Sequence, residues 1–306
     1  MLLVMKITFY FEIFQESVST IDLRRLIPMV CLVSFILLFS TLGQYQNQLA
    51  HLILPSIRDN QSLNTNATIQ TTKPPPTRMI VVSHFNEDLD WLPIFIGEQI
   101  PYIVYTRSSD SLVRHGIKLN KGREAVAYLR YIVDNYENLP SSIAFIHAHR
   151  TSWHQQNPSD IVVALRAIRW HKYAYMPLTS TRTQAIFKLN TPDRQATVNF
   201  EVWRDVLQKE LGPPPANGVQ TYCCASFIAK KEAILAHPKA FYAKIIDYLV
   251  ASSHSDQLTG RTLEYTWHII FGQPANIKYE TCDIFVCDST NKISVEIADK
   301  SSAVKN

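Results

Sequence analysis

Glycine is scarce: the 306 residues hold 8, none arranged as Gly-x-Gly-x-x-Gly or as a Walker loop. Those two phosphate cradles need glycine so that backbone N–H groups can close on a diphosphate. Both are excluded, although a nucleotide can bind through other chemistry. Charge is thin as well, at 18% of residues, with a formal net charge of +4. No Lys/Arg-rich run interleaves with aromatics, so nucleic acid is not expected as a partner. Paired C-x-x-C spacing is missing, which makes a Cys/His zinc site the weaker reading of the 5 cysteines. What remains is 46% hydrophobic, ample for a core in one large domain or two ordinary ones.

Near the start, Leu26 to Leu42 runs without a charge, and uncharged residues continue to Leu54. Roughly 17–25 apolar residues cross a bilayer as a helix, so the run qualifies at the short end. Arg24 and Arg25 precede it, and the next positive charge is Arg58. The positive-inside rule then keeps residues 1–25 cytoplasmic and sends the rest across the membrane. A cleaved signal peptide is the rival reading, but no small-x-small site follows. Residues 26–43 are therefore expected to be an uncleaved anchor, and 44–77 a luminal stalk ending in Pro74-Pro75-Pro76. Asn60 and Asn66 open glycosylation triplets inside that stalk.

Residues 78–290 carry the globular pattern, with 291–306 as a flexible tail. Met79–Val82, Tyr102–Tyr105 and Ile143–Ile146 are short apolar runs suited to buried strands. Between the last two, Ala125, Tyr128, Leu129, Ile132, Val133 and Tyr136 recur at helical spacing. That alternation predicts an α/β domain. Asn120 or Gly122 would open the helix and present free N–H groups to an anion. Further helices are expected over 161–173, 198–211, 230–236, 239–252 and 260–271, with a strand over 223–229.

Two stretches carry candidate chemistry. The strand ending at Ile146 delivers His147 and His149, with Trp153 and His154 just beyond. Ligands of open α/β sheets bind at the carboxyl ends of strands, whereas a lone histidine most often only hydrogen-bonds. Later, Glu264 and His268 stand four apart on a predicted helix and can meet, as a general base with its partner or as a surface pair. Glu87, Asp88 and Asp90 follow the first strand, either stabilising a helix start or facing a ligand. Cys223, Cys224, Cys282 and Cys287 fall on the expected luminal side, where disulfides persist. Four cysteines allow three pairings. Adjacent cysteines bridge only with strain, so each of the first two is expected to seek Cys282 or Cys287.

Val81–Trp91, Lys121–Leu129, Phe145–Arg150, Ser152–His154, Pro192–Gln195, Cys223–Phe227 and Gly260–His268, in that order, resemble a family of fungal and related proteins catalogued as DUF3431. That family in turn looks like an outlying relative of GT-A glycosyltransferases. The resemblance implies a GT-A-like, Rossmann-like mixed sheet flanked by helices. It also implies a first strand ending in Asn-Glu at the nucleotide, here Asn86-Glu87, and a catalytic carboxylate further on, here Glu264. The metal-holding Asp-x-Asp of that fold would fall on His147-Ala-His149, a departure from the pattern. Imidazoles bind Zn²⁺ or Mn²⁺ rather than Mg²⁺, and a metal-free enzyme using Arg or His is the alternative.

The expectation is thus a single-pass type II protein of the Golgi or ER membrane, transferring a sugar from a nucleotide donor to a glycan, lipid or protein acceptor. Glu264 and His268 would be catalytic. Asn86, Glu87, Asp88, Arg123, Asp193 and Arg194 would bind the donor, and His147, His149 and His154 a metal or the diphosphate. A zinc-dependent hydrolase using those histidines is one rival. A non-catalytic carbohydrate-binding or scaffold protein of the secretory pathway is the other.

Overall fold

The computed structural model describes residues 75–96, 100–107, 121–156 and 160–296. The anchor, most of the stalk, Asn60, Asn66 and Asn120 lie outside the described residues. Among those described, no helix is long and apolar enough to cross a membrane.

The first strand, β1 (Arg78–His84), has Ile80, Val81 and Val82 wholly buried. A strand apolar on both faces belongs in the middle of a covered sheet. It pairs in parallel with β2 (Tyr102–Thr106) on one side and β3 (Ser142–His147) on the other. β3 pairs antiparallel with β7 (Phe227–Lys230), which pairs antiparallel with β4 (Tyr175–Pro177). The order is β2-β1-β3-β7-β4, a mixed five-stranded sheet. A separate ribbon pairs β5 (Arg182–Ala185) with β6 (Val219–Tyr222).

Alternation along the strands builds two cores. Val81 and Phe145 face α2 (Glu124–Asn135), α7 (Lys239–Ala251) and α8 (Asp256–Ile270). Ile80, Val82, Ala144 and Ile146 face the other layer, with α1 (Trp91–Phe95) and α3 (Ile161–Ala167). In α2, Ala125, Tyr128, Leu129 and Ile132 are buried as their spacing predicts, but Val126, Ala127 and Tyr131 are buried too. The helix is enclosed on more than one side, so periodicity understated its burial.

Some element ends differ from expectation. α3 stops at Ala167 rather than Tyr173, because Ile168 turns extended and bridges Phe285. The helix expected from Val198 starts earlier, as α4 (Arg194–Val202), and runs through a π-helical turn (Trp203–Leu207) into α5 (Gln208–Leu211). α6 (Lys231–Leu235) precedes α7, and α9 (Thr281–Ile284) closes the series. The expected strand over 223–229 divides: Phe227 onward is β7, while Cys223 to Ala225 is a turn with Cys224 at φ 73° and Ala225 at φ 44°.

Candidate functional site

Parallel strands β1, β2 and β3 present their carboxyl ends along one edge, with Ser83 beside both Tyr105 and His147. From β1, His84 Nε2–H donates to the Glu87 carbonyl at 3.1 Å, leaving Nδ1 to accept from Thr106 Oγ1 at 3.0 Å. This ties the β1 and β2 ends together. Glu87 Oε2 accepts from the N–H groups of Phe85 (2.7 Å) and Asn86 (3.1 Å). Burial works against its charge, but those N–H groups and Arg107 outweigh it, and the pKa lies below the ordinary value. Glu87 is thus a fixed anion. Asn86 and Asp88 are exposed on the same turn, where Asp88 Oδ1 accepts from Asp90 N–H at 2.9 Å.

Arg107 follows β2 directly. Its guanidinium lies 5.3 Å from the Phe85 ring centre, and its charge favours ionisation of both Glu87 and Glu124. Glu124 opens α2 and is 6% exposed. Burial raises its pKa, opposed by its own N–H and by Arg107 and Arg123. Neither Arg107 nor Glu124 was singled out from sequence, although applying the strand-end rule to the second strand would have found the arginine. Arg123, at φ 54°, forms the left-handed turn into α2 with Gly122.

From β3 come the histidines. The rings of His147 and His149 stack at 5.1 Å, and His154 lies 5.7 Å from His149 and 6.2 Å from His147. Burial lowers the pKa of all three, reaching about 4 for His154, and like charge within the trio lowers His149 and His154 further. They are neutral near pH 7. His149 Nε2 and His154 Nδ1 are buried without a partner among the described residues.

Helix α8 also reaches this edge. Glu264 Oε1 accepts from Cys224 N–H at 2.6 Å, and the Cys224 carbonyl accepts from His147 Nε2–H at 2.8 Å. One residue therefore links Glu264 to the end of β3. Burial raises the Glu264 pKa; the Cys224 N–H opposes this, Glu124 adds to it, and His147 and Arg261 oppose it. Gly260 lets α8 approach so closely: a Cβ there would stand 3.0 Å from the Gly122 carbonyl oxygen and 3.3 Å from Arg123 Cβ.

Two sequence expectations need correction, the Glu264–His268 pair and the cysteine pairing. Glu264 and His268 do not meet. His268 Nε2–H donates to the Ala275 carbonyl at 3.2 Å, its ring packs near Tyr175 at 6.3 Å, and Nδ1 has no partner among the described residues. Four residues along a helix advance by more than one turn, which turns His268 into the core. Asp193 is an N-cap, its Oδ1 accepting from Gln195 N–H at 2.9 Å and Ala196 N–H at 3.3 Å. It borders a small cavity of about 200 Å³ with Asn199, Arg261 and Tyr265, and Arg194 is exposed on the first turn of α4. The disulfides are Cys223–Cys224 and Cys282–Cys287. The left-handed turn at Cys224 and Ala225 accommodates a bridge between neighbours.

Metal binding finds a single group among the described residues: ligand atoms of Cys223, Cys224 and Glu264 lie within 4.8 Å of one another. Both sulfurs are committed to the disulfide, and a disulfide is not a thiolate ligand. The three histidines form no such group among the described residues, and His147, donating Nε2–H to the Cys224 carbonyl, keeps Nδ1 as an acceptor. Within that group the Glu264 carboxylate is the ordinary metal ligand while the disulfide is closed.

Fold and cleft together define an α/β domain with acidic, basic and imidazole groups converging at the carboxyl edge of its sheet. The chain belongs to the family described as a protein of unknown function (DUF3431), whose model matches residues 79–288. No curated protein and no solved structure matches it.

Proposed function

We propose that this domain is a glycosyltransferase in which Glu264 takes the proton of the acceptor hydroxyl. The observation that carries the reading is the linkage Glu264–Cys224–His147, which holds a late-helix carboxylate at the end of β3. A carboxylate whose pKa burial has raised is a better base near neutral pH than an exposed one. The acceptor oxygen attacks the anomeric carbon as its proton passes to Glu264, and the bond to the diphosphate breaks. Arg107 supplies positive charge to the departing diphosphate, and the neutral rings of His149 and His154 offer it hydrogen bonds. Such fixed electrostatics commonly dominate catalysis. Trp153, 72% exposed and edge-on to His154 at 5.4 Å, offers a flat face to a sugar ring.

The same reading places the domain in the lumen of the Golgi or ER behind a single anchor at 26–43. Its support is the uncharged run after Arg24 and Arg25, together with two disulfides. Replacing Glu264 by glutamine tests the chemistry, because the amide keeps an acceptor for Cys224 N–H but cannot take a proton. Transfer should fall roughly 10²- to 10⁴-fold with the melting temperature little changed. Undiminished transfer by the variant refutes the assignment.

A further inference from the structure

The Cys223–Cys224 disulfide borders the site through the two consecutive peptide units that meet at Cys224. Cys224 N–H holds the Glu264 carboxylate at 2.6 Å and Cys224 C=O holds the His147 imidazole at 2.8 Å. Cys224 makes both contacts through its main chain, so the position of both groups depends on the backbone shape of the turn. That shape is unfavourable for ordinary residues, with Cys224 at φ 73° and Ala225 at φ 44°. Non-glycine residues hold such angles only where their surroundings enforce them. A bond between neighbouring side chains is such an enforcement, closing a ring that contains the Cys223–Cys224 peptide. Cys223 is 7% exposed, while Cys224 is more accessible.

We propose that Cys223–Cys224 is a redox-addressable clip: closed, it sets Glu264 against the β3 edge; opened by a dithiol reductant, it releases both Glu264 and His147. Cys224 is then a positioning residue, acting through its main chain, and the disulfide is the site of modification. The step balances. One dithiol gives two electrons and two protons, becoming a disulfide, and the S–S bond becomes two thiols. The consequence for turnover rests on the glycosyltransferase reading, but the structural consequence does not.

Full-length protein is compared oxidised and after mild treatment with dithiothreitol, alongside the Cys223→Ser/Cys224→Ser double variant. Differential alkylation reports which thiols have opened. Hydrogen exchange over 222–226 and 260–268 reports the clip, and sugar transfer reports the site. Opening Cys223–Cys224 should speed exchange at both segments and lower kcat roughly ten- to a hundredfold, as losing a hydrogen bond to a charged group would, with a smaller effect on KM. The double variant should match the reduced protein and ignore the reductant. Unchanged exchange after alkylation proves the bond open, or a double variant that exchanges and turns over like the oxidised parent, overturns the proposal. If no donor is turned over by any form, the transferase reading fails while the exchange comparison still decides the clip.

Discussion

Replacing Gly260 by alanine perturbs the contact that brings α8 to the cleft. In an open helix interior the change would stabilise the protein by about 1 kcal/mol. Here the new Cβ stands 3.0 Å from the Gly122 carbonyl oxygen and 3.3 Å from Arg123 Cβ and Cγ. The closest of these is backbone and cannot swing aside. Gly122 and Arg123 are already held at φ 66° and φ 54°, and the Gly122 carbonyl accepts from Ala125 N–H at 3.2 Å. Crowding of this kind costs about 1–3 kcal/mol, so the net effect is a loss of about 0–2 kcal/mol. For a domain of this size that is up to about 8 °C in melting temperature. Glu264 lies one turn further along the same helix, so a displaced α8 should also lengthen its bond to Cys224. Thermal and chemical denaturation read the first effect, and hydrogen exchange at Cys224 the second. A variant stabilised by about 1 kcal/mol, the uncrowded value, with unaltered exchange would refute the close approach.

Two further expectations concern stability. His268 is fully buried, with its pKa lowered to about 4 by burial and only partly restored by the Ala275 carbonyl. Its unfolded form binds a proton first, so its contribution is present above about pH 6.5 and is lost as pH falls toward 4, on the order of 3 kcal/mol. His268→Gln should flatten the fall in stability between those pH values, and an identical slope would refute the buried neutral ring. Cys282, within α9, and Cys287 close a short loop. Replacing both by serine should cost about 2 kcal/mol on a chain-entropy estimate, read by denaturant titration. Peptide mapping of the parent that linked either cysteine to Cys223 or Cys224 would contradict the pairing.

The three parallel strands were legible because each centres on a short apolar run, whereas β4 was not expected. Met79–Val82 and Ile143–Ile146 have no polar interruption, and the α2 face repeats at helical spacing. The histidine trio was equally visible, since β3 ends at His147 and the three rings follow within eight residues. What sequence could not show was which long-range partner each polar group takes. Glu264 and His268 share spacing, but one meets Cys224 and the other turns to Ala275. Arg107 stands at the end of β2, where the strand-end rule reaches it, whereas Glu124 enters the site through the packing of α2, which no local pattern marks. The cysteine pairing failed for a conformational reason: a bridge between neighbours becomes accessible once Cys224 and Ala225 adopt left-handed angles, and sequence spacing carries no φ. Asp193 caps a helix, a role in which aspartate is common, and also borders the cavity with Arg261 and Tyr265.

The most direct test of a converging donor site is a thermal-shift titration of the full chain with UDP- and GDP-sugars, run on the parent and on Arg107→Ala. A donor at about a hundred times its dissociation constant adds about 2.7 kcal/mol, or roughly 5–10 °C for a domain of this size. The parent should show such a shift with at least one donor and the arginine variant should lose most of it. No shift with any nucleotide sugar, or an equal shift in both proteins, would contradict the site as described.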